Sequence, residues 1–121
     1  MKTASAQELA TKKCLPCEGG VEPCPLDFSQ QQLQQLSGWS LTEDHKRIFK
    51  RWTVTNFVEA MRFFNEITKL AEEDGHHPDL HLVGYRHVTI EIWTHAIDGL
   101  SENDFILAAK IDQLPVATKR S

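Results

Sequence analysis

Between Asn56 and Gly75 the chain carries the pattern that most restricts its fold. Phe57, Ala60, Met61, Phe64, Ile67 and Ala71 recur at helical spacing and form one apolar stripe. Asn56 is placed to cap this helix, Glu59 three residues on to complete a capping box, and Gly75 to end it at the C′ position. The aromatic and methionine content of the stripe reads as core. A period of two then takes over. Leu80 to Tyr85 and Arg86 to His95 read as strands joined around Gly84. In the second, Val88, Ile90 and Ile92 point one way, and His87, Thr89, Glu91, Trp93 and His95 the other.

The same alternation precedes the long helix. Trp39 and Leu41 suggest a short strand, and Thr42 to His45 a turn. A further strand follows, with Ile48, Lys50, Trp52 and Val54 on one face and Phe49, Arg51 and Thr53 on the other. A short helix comes earlier, with Ser29 as N-cap, Leu33 and Leu36 as its buried side and Gly38 as its stop. After Gly99, Ser101 caps a last helix whose inner face is Leu107, Ala108, Ile111 and Leu114, and Pro115 ends it. The order is helix, two strands, helix, two strands, helix. It predicts an α+β domain whose mostly antiparallel sheet lays three helices against one face. Residues 1–25, with Pro16, Gly19, Gly20, Pro23 and Pro25, read as an irregular cysteine-containing arm; 26–116 as a single domain; and 117–121 as a frayed tail.

Length and charge narrow the function. At 121 residues the chain is one domain, with a formal net charge of −4 that argues against a nucleic-acid binder working by phosphate neutralisation. The basic cluster His45 to Arg51 alternates with apolar residues and reads as a wet strand face. No apolar run approaches the roughly 20 residues of a membrane helix, and Met1 to Lys13 lacks a signal core. A cytoplasmic location is expected, organellar if a longer precursor exists. Cys14, Cys17 and Cys24 lack a fourth ligand nearby, and reduced thiols in a loop are the preferred reading over a metal shared between two chains.

Histidine is the compositional outlier. Of six, His76, His77, His81, His87 and His95 fall within one short stretch, and His45 stands apart. Pro78 holds His77 in extended backbone, so the side chains of His76 and His77 diverge and grip one small ion poorly. If the loop 75–79 lies beside the strand end carrying His95, three imidazoles share a cleft. With an unperturbed pKa of about 6.5, one ring can hold a proton while its neighbour lacks one. Spacing alone therefore points to acid–base catalysis or metal binding. Taken singly, Glu72 reads as a surface charge, Tyr85 as a turn aromatic and Asp104 as a first-turn capping carboxylate.

Together, Glu72, His76-His77-Pro78, Tyr85, His95 and Asp104 stand at spacings that resemble the pterin-4a-carbinolamine dehydratase family. The similarity extends to Leu36-Ser37-Gly38-Trp39, Phe49, Trp52, Phe57 and Gly99-Leu100-Ser101, about residues 33–114. It implies a four-stranded antiparallel sheet with helices on one face, and dimers built by sheet extension that commonly pair into tetramers. It implies a 4a-hydroxytetrahydrobiopterin-type substrate, dehydrated to the quinonoid dihydropterin by an acid near the hydroxyl and a base near N5, in support of tetrahydropterin recycling. No metal or organic cofactor is implied, because N5 supplies the electrons. His76, His77 and His95 are the expected catalytic residues. Glu72, Pro78, Asp79, Leu80 and Asp104 are expected to orient them or hold the pterin, Asp104 by fixing the helix start. The alternatives are a non-catalytic dimerisation partner of a transcription factor, a metal-dependent hydrolase using His76, His77, Asp79 and His95, and a related pterin or molybdopterin role.

Overall fold

A computed structural model describes residues 2–15 and 22–119. Strands β1 (Ser40–Leu41), β2 (Ile48–Thr53), β3 (Asp79–Val83) and β4 (His87–Ile92) form one antiparallel sheet in the order β1-β2-β4-β3. The pairs Ile48↔Ile92, Lys50↔Ile90 and Trp52↔Val88 set its inner face. Ile48, Val88, Ile90 and Ile92 are all buried there. Four α-helices accompany the sheet: α1 (Ala6–Thr11), α2 (Leu26–Leu33), α3 (Phe57–Asp74) and α4 (Glu102–Asp112). Phe63 of α3 stacks edge-on against Trp52, their ring centroids 5.2 Å apart, while α4 packs against β4, α3 and α1. Residues 103–109 of α4 are buried almost throughout, as a helix covered on both sides must be.

Helix α3 starts as its sequence predicts, with Asn56 Oδ1 accepting from Glu59 N at 2.9 Å, and ends at Gly75 in the left-handed conformation, φ 64°. Two details differ. Glu59 does not close a capping box; its carboxylate binds Arg62 and Ala117 N. The packed face is Ala60, Phe63, Ile67 and Ala71, while Phe57 and Met61 are exposed and Phe64 half-buried. The apolar arc is wider than the surface available to cover it, so the helix turns its Phe63 side inward.

Helix α2 begins earlier than expected. Pro25 is its N-cap, and Ser29 lies buried inside it, donating its backbone N–H to Pro25 O at 3.0 Å. Proline suits this end because the first amides have no helical partner.

The expected irregular arm contains α1, capped by a Ser5–Glu8 capping box and anchored by buried Leu9. A six-residue helix is too short to show a period and relies on packing for stability. Two side-chain amides stitch the arm down. Gln32 exchanges hydrogen bonds with both backbone groups of Ala4, at 2.9 and 2.8 Å. Asn103 does the same with Leu15, at 2.9 and 2.7 Å. Pro16, Cys17, Gly19 and Gly20 lie outside the described residues.

Through Lys119 the tail is paired and not frayed. Thr55 N donates to Ala117 O and Lys119 N to Thr53 O, with Thr118 bridging Val54. The last part of β2 extends past the short β1, and the tail meets backbone groups left open there. Among the described residues no helix is long and apolar enough to cross a membrane.

Candidate active site

Gly75 reverses the chain at the end of α3, and His76 N still donates to Ala71 O at 3.1 Å. The His76 side chain is thereby directed to the start of α4, where its Nε2 lies 2.6 Å from Asp104 Oδ1. Asp104 is fully buried, and its Oδ2 accepts from Ser101 N and from Thr94 Oγ1, each at 2.8 Å. One carboxylate thus closes the capping box of α4, ties Thr94 beside it and holds the imidazole. A carboxylate only accepts, so His76 Nε2 carries the hydrogen in this bond, which leaves Nδ1 as the ring nitrogen outside it. Asp104 does fix the helix start, and it also grips a histidine 28 residues away, which its first-turn position did not announce.

His77 turns the other way, as extended backbone before Pro78 requires. Its Nε2 is 2.6 Å from Glu72 Oε2, with both side chains well exposed. His95 begins a 3-10 turn, His95–Ile97, and does not end a strand. Strand β4 stops at Ile92, after which Thr94 pairs with Gly99 and Ile97 N donates to Thr94 O. The His95 ring lies against Trp93, centroids 4.2 Å apart at 44°.

A cleft of about 180 Å³ is lined by Gly75, His76, His77, Trp93, Thr94, His95 and Ala96. Three imidazoles therefore meet in one hollow. A smaller apolar hollow of about 110 Å³ shares His77 and adds Glu72, Pro78 and Leu80. Asp79 stands outside both. It accepts from Trp93 Nε1 at 3.2 Å and lies 3.9 Å from Arg47 Nη1. Tyr85 sits at the far end of the β3–β4 hairpin, half exposed at φ 56° with the Arg86 guanidinium over its ring, and does not join the histidines.

Of the remaining histidines, His81 pairs with Glu91 at 2.9 Å, and His45 and His87 are exposed. Trp93 and Thr94 line the cleft and were not singled out from sequence. An aromatic next to the polar end of a strand was the available signal for Trp93; Thr94 carried none.

Cys14 and Cys24 stand apart from the cleft. Burial first, then the nearby Asp74 carboxylate, pushes the Cys14 thiol up to about 12, and burial pushes Cys24 up to about 11. Both are protonated at neutral pH, and Cys14 Sγ contacts Asn103 O at 3.5 Å. Among the described residues no three His, Cys, Asp or Glu side chains are grouped to hold a metal ion.

The architecture is that of pterin dehydratase-like α+β proteins. A Brucella melitensis chain described as a transcriptional coactivator/pterin dehydratase superposes with a TM-score of 0.71, covering 75% of this chain and 96% of that one at 24% identity. A pterin dehydratase-like protein described as a RuBisCO assembly factor in the alpha-carboxysome gives a TM-score of 0.52, covering 62% and 86%, also at 24% identity. These show the fold. Sequence shows more, since the family model "Pterin 4 alpha carbinolamine dehydratase" matches residues 23–114, and the chain belongs to that family. It is 48% identical over 93% of its length to "Pterin-4-alpha-carbinolamine dehydratase 2, mitochondrial" of Arabidopsis thaliana, and spans 62% of that protein. It is 47% identical over 88% of its length to the "Putative pterin-4-alpha-carbinolamine dehydratase" of Halorhodospira halophila, and spans 96% of that one. The relatives are named for a hydro-lyase reaction, the removal of water from a pterin carbinolamine.

Proposed function

We propose that this chain dehydrates 4a-hydroxytetrahydropterins of the tetrahydrobiopterin type, with His76, His77 and His95 moving the protons. The observation that carries the proposal is the meeting of these three imidazoles in one cleft, in a chain of this family. Dehydration breaks the C4a–O bond, and the hydroxyl leaves as water after accepting a proton. The N5 lone pair forms the C4a=N5 double bond, and N5 gives its proton to a base. The product is the quinonoid dihydropterin, and the proton count closes. An acid near the hydroxyl and a base near N5 each supply about 10²–10⁴-fold.

The two carboxylate partners suit this work. Asp104 holds His76 in one tautomer with Nδ1 free, and Glu72 does the same for His77 at the surface. Acid and base are interchangeable among the rings, since the two C4a epimers present the hydroxyl from opposite faces. Leu80 and Pro78 offer an apolar wall to the flat ring. Such an activity would support tetrahydropterin recycling. Among the described residues β3 is an edge strand of the sheet, an edge that sheet extension into a homodimer or homotetramer would use.

The test is a spectrophotometric assay of 4a-hydroxytetrahydropterin breakdown with and without the purified chain. Acceleration should scale with protein and fall about 10²-fold or more in His76→Ala and in the more exposed His95→Ala. A folded wild-type chain that gives no acceleration rejects the proposal.

A further inference from the structure

The three imidazoles of the cleft are not held alike. His76 and His77 each have a carboxylate at 2.6 Å, whereas the His95 ring packs against Trp93. Trp93 is itself held from outside the cleft. Its Nε1 donates to Asp79 Oδ2 at 3.2 Å, and the Arg47 guanidinium carbon lies 4.4 Å from its ring centroid. Arg47 also lies 3.9 Å from Asp79 and 3.6 Å from Glu91, so its charge is compensated where it stacks.

Arg47 ends the β1–β2 turn, whose backbone is closed by Thr42 N donating to Arg47 O at 3.0 Å and Arg47 N donating to Thr42 Oγ1 at 3.2 Å. The neighbouring Lys46 reaches Asp98, just past the 3-10 turn, at 2.7 Å. One turn of the sheet therefore touches the His95 segment at both ends. Neither Arg47 nor Asp79 lines the cleft.

We infer that Arg47 and Asp79, acting through Trp93, are positioning residues that set the orientation of the His95 ring, a role that rests on the dehydratase reading above. A guanidinium stacks on an indole face and binds a carboxylate at the same time, which an ammonium does less well. The indole N–H fixes rotation of the ring about its own side-chain bond, and the ring face then limits where His95 can stand. A misplacement of about 1 Å in a group that transfers a proton can cost roughly a hundredfold in rate.

The experiment compares wild type with Arg47→Met, Trp93→Phe and Trp93→Ala, measuring kcat and KM separately and recording the His95 ring proton resonances by NMR. Trp93→Ala should lower kcat roughly tenfold to a hundredfold and remove the ring-current displacement of the His95 resonances. Arg47→Met, away from the cleft wall, should lower kcat several-fold with KM nearly unchanged and shift the same resonances, leaving those of His76 in place. Trp93→Phe keeps an aromatic wall without the N–H and should fall between them. Arg47→Met with wild-type kcat and unmoved His95 resonances overturns the inference. So does a rise in KM alone in the Trp93 variants, which would make the indole only a wall for substrate. An inactive wild type would reject the dehydratase reading, and the NMR arm would still decide whether Arg47 orients His95.

Discussion

Two adjacent histidines each meet a carboxylate at 2.6 Å, in surroundings that could hardly differ more. In the His76–Asp104 pair the side chains are 10% and 0% exposed; in the His77–Glu72 pair they are 64% and 69% exposed. Asp104 accepts from three donors contributed by His76, Thr94 and Ser101, and it belongs to the cap of a buried helix. Glu72 lies on the wet side of α3, five residues before its partner. Water competes for every atom of the second pair and for almost none of the first. Equal distances thus carry unequal energies, because burial and the number of other groups sharing the carboxylate decide what its removal costs.

Removing the buried carboxylate should have the largest effect. Asp104→Ala leaves three donors without their acceptor, and should cost about 3–5 kcal/mol of stability along with activity. Urea unfolding reads the loss, and a midpoint equal to wild type would erase the distinction between the pairs. Removing the exposed imidazole should separate the two quantities. His77→Ala should stay within about 0.5 kcal/mol of wild-type stability while dehydratase activity drops about 10²-fold. A large loss of stability there would mean that the surface pair is structural.

Glu59 tests the same rule at intermediate burial, with its side chain 13% exposed. The hydrogen bonds from Arg62, chiefly, and then from Ala117 N hold its carboxyl down at about 2. A depressed carboxyl contributes stability that is fully present above its unfolded value, about 4.3, and is lost as pH falls toward 2. Wild type should therefore exceed Glu59→Gln in unfolding midpoint at pH 7, and the gap should close on acidification to about pH 2. A gap that stayed constant with pH would remove the ion pair as its cause. The smallest effect belongs to Glu72→Gln. It should alter stability by less than about 0.5 kcal/mol and activity only a few-fold, since the amide oxygen can still accept from His77. A loss matching that of Asp104→Ala would show that burial is not what distinguishes the pairs.

Much of the fold was legible in short-range pattern. Helix α3 could be read from Asn56, Gly75 and its stripe, and β4 from Val88, Ile90 and Ile92, because both periods recur over enough residues to stand out. Short or capped-by-packing elements could not. Helix α1 carries a local start signal in Ser5 and Glu8, but its six residues are too few to show a period, and it depends on Leu9 and on Gln32 and Asn103 holding the backbone around it. The C-terminal strap is ordered by open backbone on β2 and by Glu59 and Arg62. In the candidate site, His76, His77 and His95 were picked out by spacing and family resemblance, whereas Trp93 and Arg47 looked like residues of a solvated strand face.

By itself the sequence determined the periods, the caps, the divergence of His76 and His77 before Pro78, and the family to which the chain belongs. Those depend on neighbours within a turn of helix or a pair of strand residues, or on a signature carried in the chain itself. Only the tertiary structure decided which histidine is buried, that Asp104 and not Glu72 holds it, and that Asp79 serves Trp93 outside the cleft. Such partners lie far apart in the chain, 28 residues in the case of His76 and Asp104. What joins them is the packing of α4 against the sheet, which no local pattern encodes.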